Sequence, residues 1–357
     1  MRKIAIASGI ALVLAALTFA FWPFRPRAAP EPKKETLVIY SPHPAEITEY
    51  IVREFRQRTG IEVQVISAGT GELIERMKAN EKKGEADLFW GGGVESLETV
   101  TDLFNEFTST EENAIQAVYK APHGKWHPFS VLPAVIIYNE TLVPKEHIPD
   151  SWASLLDPYF KNRLIMADPE KSGSSFTILA TMLWTMSKNG SGAFSGWDYV
   201  ERIIGQLGEG GLASSSNMVY RSVASGDFYA GITFENYVLS LQKTGANVAY
   251  CYPAEGTSAV PDGIALLKTS QHTVEAGQFI NFVLGRDVQD ILLARWQRRT
   301  VRTDIGEKKT GFTSGPDSAR AGFIRYPVSE AASERGPILA HWEALYARPE
   351  IPSASVR

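Results

Sequence analysis

A serine-rich run directly before an apolar stretch is the clearest chemical signal in the chain. Serine hydroxyls and the free backbone N–H groups of a helix's first turn are donors for a phosphate or carboxylate. The apolar stretch at residues 176–186 predicts that helix, and Lys171 adds a cation beside its start. The run therefore predicts an anion site, with a plain helix cap as the alternative. Its members are Ser172, Gly173, Ser174 and Ser175.

Two further turns show related patterns. Residues 214–217, which include Ser215, repeat the serine-rich pattern before the next predicted helix. Ser41 and His43, each followed by proline, stand between the first predicted strand and the first predicted helix. Prolines stiffen this turn, so it is predicted to hold both side chains toward a ligand, and Ser41 as a helix cap is the alternative.

Glycine-rich turns follow the next two predicted strands. Glycine lets backbone N–H groups approach a ligand closely. The first turn is not a dinucleotide fingerprint, because Ile74 stands where a third glycine is needed. In the second turn Trp90 is predicted either to stack on a sugar ring or to pack in the core. The residues are Gly69, Thr70 and Gly71 in the first turn, and Trp90, Gly91, Gly92 and Gly93 in the second.

A carboxylate, an amide and a phenol follow the predicted strand at residues 229–234. These are Glu235, Asn236 and Tyr237. Such groups commonly hold sugar hydroxyls, so the cluster is predicted to contact the ligand. A solvated loop is the alternative interpretation.

The sequence lacks the motifs that would indicate catalysis, a metal or a cofactor. It contains no His-Glu-x-x-His, no Cys-x-x-Cys, no Walker-type loop and no Gly-x-Ser-x-Gly elbow. The single cysteine excludes an internal disulfide, and the net charge of −4 argues against a nucleic-acid binder. We therefore expect no enzyme activity, no metal and no cofactor.

The periodicity of the chain predicts an α/β fold. Short apolar runs at residues 36–40, 61–66 and 87–90 alternate with helical patterns at 46–59 and 71–80. Such alternation favours parallel strands covered by helices, with ligands bound where loops and helix starts converge. A second unit of the same kind begins near residue 132.

The N-terminal residues 1–35 indicate export. Arg2 and Lys3 precede a charge-free apolar run from Ile4 to Trp22, and a segment rich in proline and basic residues follows. This is typical of a signal peptide, or of an N-terminal membrane anchor plus a linker. The rest of the chain holds 30 basic and 38 acidic residues, a net charge of −8. Because its net charge repels anions, such a domain can bind an anion only through hydrogen-bond donors and cations placed at the binding site.

Taken together, motifs along nearly the whole chain after residue 36 resemble the type II substrate-binding proteins of bacterial ABC importers. They resemble in particular the branch that binds ferric ion or phosphorylated sugars. The motifs are the Ser-Pro-His-Pro turn at residues 41–44 and the segments at residues 54–55, 59–63, 69–73, 87–92, 167–173, 252–257 and 299–304.

The resemblance implies two α/β lobes, each a mixed sheet flanked by helices, with a ligand cleft at the hinge. The predicted first lobe is residues 36–130 with about 250–300. The predicted second lobe is residues 131–249 with about 301–357. Ferric binders of this branch use adjacent tyrosines, whereas this chain reads Phe234-Glu235-Asn236-Tyr237, which favours a phosphorylated ligand.

The sequence therefore predicts a periplasmic protein that captures a small anion, a sugar phosphate or other organophosphate, and delivers it to a permease in the inner membrane. A ferric-ion carrier is the alternative in the same class, and a secreted serine hydrolase is the alternative outside it. A monomer is expected, and contact with a sensor protein is compatible with the same fold.

Overall fold

The computed structural model describes residues 36–81, 83–187, 194–305 and 322–347. The predicted signal or anchor in residues 1–35 lies outside these ranges. No helix within them combines the length and the apolar composition that a membrane crossing requires.

The first part of the chain alternates strands and helices as the periodicity predicts. The strand β1 pairs in parallel with both β2 and β3. The helix α1 ends at Gly60, whose backbone has φ +74° and whose N–H donates to the carbonyl of Arg56. The elements are β1 Thr36–Ser41, α1 Ala45–Thr59, β2 Glu62–Ser67, α2 Thr70–Ala79, β3 Leu88–Gly93 and α3 Val94–Glu98.

The remaining elements build a second group of strands and helices and then return to the first. The middle group is β4 His127–Asn139, β5 Leu164–Ala167, α4 Gly173–Thr185, α5 Trp197–Gln206, β6 Leu207–Ala213, α6 Ser216–Ser225, β7 Ala230–Phe234, α7 Glu235–Lys243 and β8 Val248–Cys251. The last group is β9 Ala259–Leu266, α8 Thr273–Leu284, α9 Arg286–Trp296, β10 Arg299–Thr300, α10 Val328–Ser333 and α11 Arg335–Tyr346.

The long strand β4 connects the two groups. Up to Pro133 it pairs with β9, and from Ala134 onward it pairs with β7 and β8. The strand order is β2-β1-β3-β9-β4-β7-β5-β6, with β8 and β10 also paired to β4. Because the pairs made by β4 are antiparallel and the outer pairs are parallel, the sheet is mixed.

Helices cover both faces of the sheet in each lobe. In the first lobe α1, α8 and α9 pack on one face, and α2 and α3 pack on the other. In the second lobe α4, α5 and α11 pack on one face, and α6 and α7 pack on the other. Two lobes built on a mixed sheet and flanked by helices confirm the predicted α/β class.

The C-terminal part of the chain contacts both lobes. Val301 packs in the core of the first lobe, whereas Ile338 and Trp342 of α11 pack in the core of the second. Tyr326 packs against cores of both lobes. The exact lobe boundaries expected from the sequence stay a prediction.

Candidate functional site

A cavity of about 710 Å³ lies where helix starts from both lobes meet. The first turns of α1 and α2 line it from the first lobe, and those of α4 and α6 line it from the second. A helix start exposes unpaired N–H groups and the positive end of the helix dipole. Four such starts around one cavity make it suitable for an anion.

The predicted serine run divides between this cavity and the core. Ser172 caps α4 by accepting the N–H of Ser175, and its hydroxyl shares a hydrogen bond of 2.7 Å with that of Ser216. This bond ties the starts of α4 and α6 together. Ser172, Ser174 and Ser215 line the cavity. The hydroxyl of Ser175 instead donates to the carbonyl of Ala167 inside the second lobe.

The predicted glycine turn at residues 69–71 meets the start of α4 from across the cleft. A Cβ added to Gly69 would lie 3.0 Å from the carbonyl oxygen of Lys171. A Cβ on Gly173 would lie 2.9 Å from the hydroxyl of Thr70. Gly71 lies opposite the carbonyl of residue 170 in the same way. Glycine therefore permits the two lobes to approach closely here.

The glycines at the end of β3 serve a similar purpose within the first lobe. Gly91 and Gly92 have φ of +121° and +75°, the region that favours glycine. A Cβ on Gly91 would lie 2.9 Å from Pro42, and one on Gly92 would lie 2.8 Å from Thr70. The end of β3 thus packs under the two neighbouring turns.

Ser41 and Trp90 are buried behind the cavity. The hydroxyl of Ser41 donates to the carbonyl of Trp90 and accepts the N–H of His43, at 2.7 and 3.3 Å. The Trp90 ring is 0% exposed and packs edge-on against His43 and Phe129. Of its two predicted roles, the structure shows core packing. Ser41 stabilises the turn by its hydrogen bonds, and of these three residues His43 lines the cavity.

The polar cluster at residues 235–237 is the first turn of α7, not the loop that was the alternative interpretation. The Glu235 carboxylate accepts hydrogen bonds from Nε and Nη2 of Arg299 at 2.7 and 2.9 Å, and from the Tyr252 hydroxyl. It is thus occupied by an ion pair. Tyr237 lines the cavity and stacks on Tyr220. Asn236 is buried, and its Oδ1 has no hydrogen-bond partner among the described residues.

A smaller inner chamber of about 50 Å³ adjoins this cavity and shares with it predicted residues such as His43, Ser174 and Tyr237. Its lining also includes Asp262 and Arg298, which are not among the predicted site residues.

Asp262 and Arg298 form a buried ion pair in this chamber, with Oδ2 and Nη1 2.6 Å apart. The other oxygen of Asp262 accepts the N–H and the hydroxyl of Ser130. Thr177 of the second lobe also lines the chamber and donates to Glu95 of the first.

His43 faces the ion pair, with its Nε2 atom 3.5 Å from Oδ2 of Asp262. Burial, reinforced by the positive charge of Arg298, holds the pKa of His43 well below its usual value. The imidazole is therefore neutral near pH 7.

A sequence signal for this ion pair does exist. Asp262 is the one charged residue in the apolar strand Ala259–Leu266, and such a carboxylate needs a buried partner. The partner itself is not readable from the sequence, because Arg298 is one of several arginines that follow α9.

A bound metal ion would need several ligating side chains gathered at one place. Within the described ranges no group of three or more His, Cys, Asp or Glu side chains is arranged to hold a metal ion. Asp262, which lines the inner chamber, and Glu235, in the first turn of α7, are each paired with an arginine.

Two lobes around a cleft walled by helix starts define a ligand-binding protein with the fold of the type II periplasmic binding proteins. A family model described as "Bacterial extracellular solute-binding protein" matches residues 97–307. The chain belongs to this family. The predicted resemblance to the substrate-binding proteins of ABC importers is confirmed, and family members are transport proteins.

Individual relatives are distant in sequence but cover most of the chain. The structure of AfuA from Actinobacillus pleuropneumoniae, with exogenous fructose-6-phosphate bound, is similar with a TM-score of 0.76 and 22% identity, covering 87% of this chain and 98% of that one. A probable ABC transporter periplasmic-binding protein, y4fP of Sinorhizobium fredii, is 22% identical over 73% of each chain. The Fe(3+)-binding periplasmic protein of Serratia marcescens is 23% identical over 72% of this chain and 75% of that protein.

Proposed function

We propose that this protein captures a small anionic solute, a sugar phosphate or another organophosphate, and delivers it to an ABC permease in the inner membrane. The observation that carries the proposal is the convergence of four helix starts, two from each lobe, on one cavity lined by serine hydroxyls. N–H and hydroxyl groups there replace the hydration shell of the phosphate.

In this acidic domain, hydrogen-bond donors at the cavity are better suited to bind a phosphate than the overall charge of the protein. Lys171 lines the cavity, but its ammonium group already pairs with Asp168 at 3.2 Å. Glu72 and Glu170 stand at the same rim. The phosphate is therefore held mainly by oriented dipoles, and the similarity to AfuA with its bound fructose-6-phosphate supports this ligand class.

Capture proceeds by closure of the lobes on the ligand. The contacts of Gly69 with Lys171 and of Thr70 with Gly173 cross the cleft and exist only when the lobes are together. A ligand that touches both walls stabilises this closed form over an open one. The closed, monomeric protein then docks on the permease in the periplasm, or on a sensor protein that reads the same closed form.

A ferric-ion carrier is the second candidate, and the Serratia relative favours it. Fe(III) prefers anionic oxygen ligands. Tyr237 lines the cavity, but burial raises its pKa, and Glu235 is already paired. Iron would therefore bind with an accompanying anion at the helix starts.

The two candidates are separated by a thermal-shift screen with fructose 6-phosphate, glucose 6-phosphate, an alkyl phosphonate, inorganic phosphate and Fe(III). A ligand at a hundredfold excess over its Kd adds about 2.7 kcal/mol to stability. We expect this response with phosphate esters. A thermal shift with Fe(III) alone, together with a visible absorption band, would favour the ferric-ion carrier over the organophosphate-binding protein. Turnover of a chromogenic ester would favour the serine hydrolase.

A charge variant tests the location of the site. Ser174→Asp places a carboxylate at the start of α4 and is expected to abolish the thermal shift by phosphate esters, because it repels the anion. Ser333→Asp adds the same charge at an exposed position of α10, outside the cavity lining, and should leave the shift unchanged. An unaltered shift in the Ser174 variant removes the α4 start from the site.

A further inference from the structure

One methionine is exposed at the edge of the anion cavity. Met218 is 47% exposed and lies in the first turn of α6. It directly follows residues 214–217, all of which line the cavity. Of the described residues, Met218 is therefore the thioether most open to a small molecule dissolved in the surrounding water. The other methionines in the described ranges are buried or partly buried, and they are Met77, Met166, Met182 and Met186.

The sulfur of Met218 is linked to the cavity through a hydroxyl group. The Ser214 hydroxyl donates to Sδ of Met218 at 3.4 Å. A thioether sulfur is a weak acceptor, so this hydroxyl can turn to a ligand anion with little loss. Two residues after Ser214, Ser216 shares a hydrogen bond of 2.7 Å with Ser172 at the start of α4. A chemical change at Met218 therefore acts directly beside the donors that surround the cavity.

A peroxide converts a thioether into a sulfoxide. One oxygen atom of hydrogen peroxide is transferred to the sulfur, the O–O bond breaks, and the other oxygen leaves as water. The sulfur loses two electrons in this step, and the peroxide gains them. The product is polar, and its oxygen carries a partial negative charge and accepts hydrogen bonds more strongly than sulfur does.

The single cysteine of the chain is a weaker competitor for peroxide. The reactive form of a cysteine is the thiolate. Burial raises the pKa of Cys251 in β8 to about 12, so this group stays a thiol near pH 7. A thioether has no proton to lose, and its exposure governs how fast it is oxidised. These differences favour oxidation at Met218.

We propose that Met218 is an oxidation site whose sulfoxide weakens capture of the anion, so that peroxide lowers the ligand affinity of the protein. The sulfoxide oxygen holds the Ser214 proton and competes with the anion for the positive end of α6. The effect on binding rests on the proposed function, whereas the oxidation itself does not. A methionine sulfoxide reductase reverses the change, because a dithiol becomes a disulfide while the oxygen leaves as water.

Peptide mass spectrometry after treatment with hydrogen peroxide tests the site of oxidation. We expect Met218 to gain one oxygen atom before the other four methionines of the described ranges and before Cys251. Earlier oxidation of Met186 or of Cys251 would contradict the assignment.

Isothermal titration with glucose 6-phosphate measures the effect on binding. The Kd of the oxidised protein should be about threefold to tenfold higher, the loss typical of one hydrogen bond. Treatment with methionine sulfoxide reductase and dithiothreitol should restore it. Met218→Leu keeps an apolar side chain of similar size but has no sulfur, so peroxide should leave the Kd of this variant as it was. Met218→Gln carries a permanent amide oxygen and should bind more weakly without peroxide.

The outcomes separate this proposal from the proposed function. Oxidation of Met218 with an unchanged Kd overturns the proposal, and so does equal sensitivity of Met218→Leu to peroxide. If the unmodified protein binds no phosphorylated compound, the proposed function fails together with the effect on binding, whereas the mass spectra still decide whether Met218 is oxidised first.

Discussion

Single side chains in this cleft fall into those that line the cavity and those that shape the wall behind it. His43 belongs to the first kind, and Ser41 and Trp90 belong to the second. All three stand close to a predicted ligand turn in the sequence. Sequence position alone therefore does not separate contact residues from supporting residues, because neighbouring side chains point in different directions.

Gly173 provides a test of closure at one atom. Gly173→Ala adds a Cβ that would lie 2.9 Å from the Thr70 hydroxyl, and this overlap exists only when the lobes meet. We expect the affinity for a phosphate ester to fall about tenfold or more, a loss of about 1.4 kcal/mol. The unfolding midpoint of the free protein should not fall, because alanine favours helix. Isothermal titration and thermal denaturation measure the two effects.

A matched control is available for this substitution. Gly205 lies in α5, and a Cβ added there meets no atom within 4 Å. Gly205→Ala should leave ligand affinity unchanged. If the Gly173 variant binds as tightly as the unmodified protein, the contact between Gly173 and Thr70 is not required for capture.

Among the helices and strands, the start of α7 is joined to β10 by the buried pair of Glu235 and Arg299. Tyr252 donates a third hydrogen bond to the same carboxylate, and the Arg299 guanidinium lies over the Phe323 ring. Because β10 pairs with β4 in the first lobe and α7 belongs to the second, this ion pair joins elements of both lobes. Its role is to fix the position of α7, which carries Tyr237 into the cleft.

Loss of this pair should be costly. Arg299→Met leaves the buried Glu235 carboxylate without its cation, and breaking a buried pair in this way costs about 3–5 kcal/mol of unfolding free energy. Urea denaturation at pH 7 measures the loss. Arg58→Met breaks a half-exposed pair with Asp287 and should cost at most about 1 kcal/mol. Similar small losses in both variants would show that the buried pair does not anchor α7.

For the molecule as a whole, closure buries a carboxyl group between the lobes. Glu95 of α3 is 0% exposed, and Thr177 of α4 donates to it from the second lobe. Burial raises the pKa of Glu95, although the nearby positive charge of Arg335 acts in the opposite direction. Tyr326, which packs against both lobes, also faces this group.

This arrangement predicts a pH dependence of ligand affinity. Opening exposes Glu95 and returns its pKa toward 4.5, so the closed form binds more protons than the open form. Closure is therefore most favourable below pH 4.5 and weakens as the pH rises through the higher pKa of the closed form. Because a phosphate monoester itself loses its second proton at about pH 6, the effect of Glu95 is measured as a difference between two proteins titrated with glucose 6-phosphate from pH 5 to pH 8.

Glu95→Gln is the matched variant, because the amide keeps an oxygen acceptor for the Thr177 hydroxyl but does not titrate. The ratio of the affinity of the unmodified protein to that of the variant should fall as the pH rises over this range, because ionisation of the ligand affects both proteins equally. Identical pH profiles for the two proteins would show that Glu95 does not take up a proton when the lobes close.

Local sequence patterns predicted much of the fold. The first two strands and two helices lie within one residue of their predicted limits, because alternating and helical apolar spacing depends only on neighbours. The third strand continues three residues past its predicted end, through the glycines to Gly93. The apolar spacing at residues 275–296 is helical as well, and in the structure Gly285 separates two helices there, α8 and α9. The strand β4 begins at His127, ahead of the second unit expected from about residue 132, because its first part is paired to the distant strand β9.

The candidate site shows the same division. Helix starts with serines at 172–175 and 214–217 are local features, and the chain alone indicates them together with their affinity for anions. Which polar groups are already occupied depends on partners far away in the chain. The carboxylate of Glu235 is occupied by its ion pair with Arg299. The ion pair of Asp262 and Arg298, in contrast, lines the inner chamber. Folding brings such partners together from separate elements, Asp262 and Arg298 within the first lobe and Glu235 and Arg299 between the lobes, and spacing along the chain does not encode these contacts.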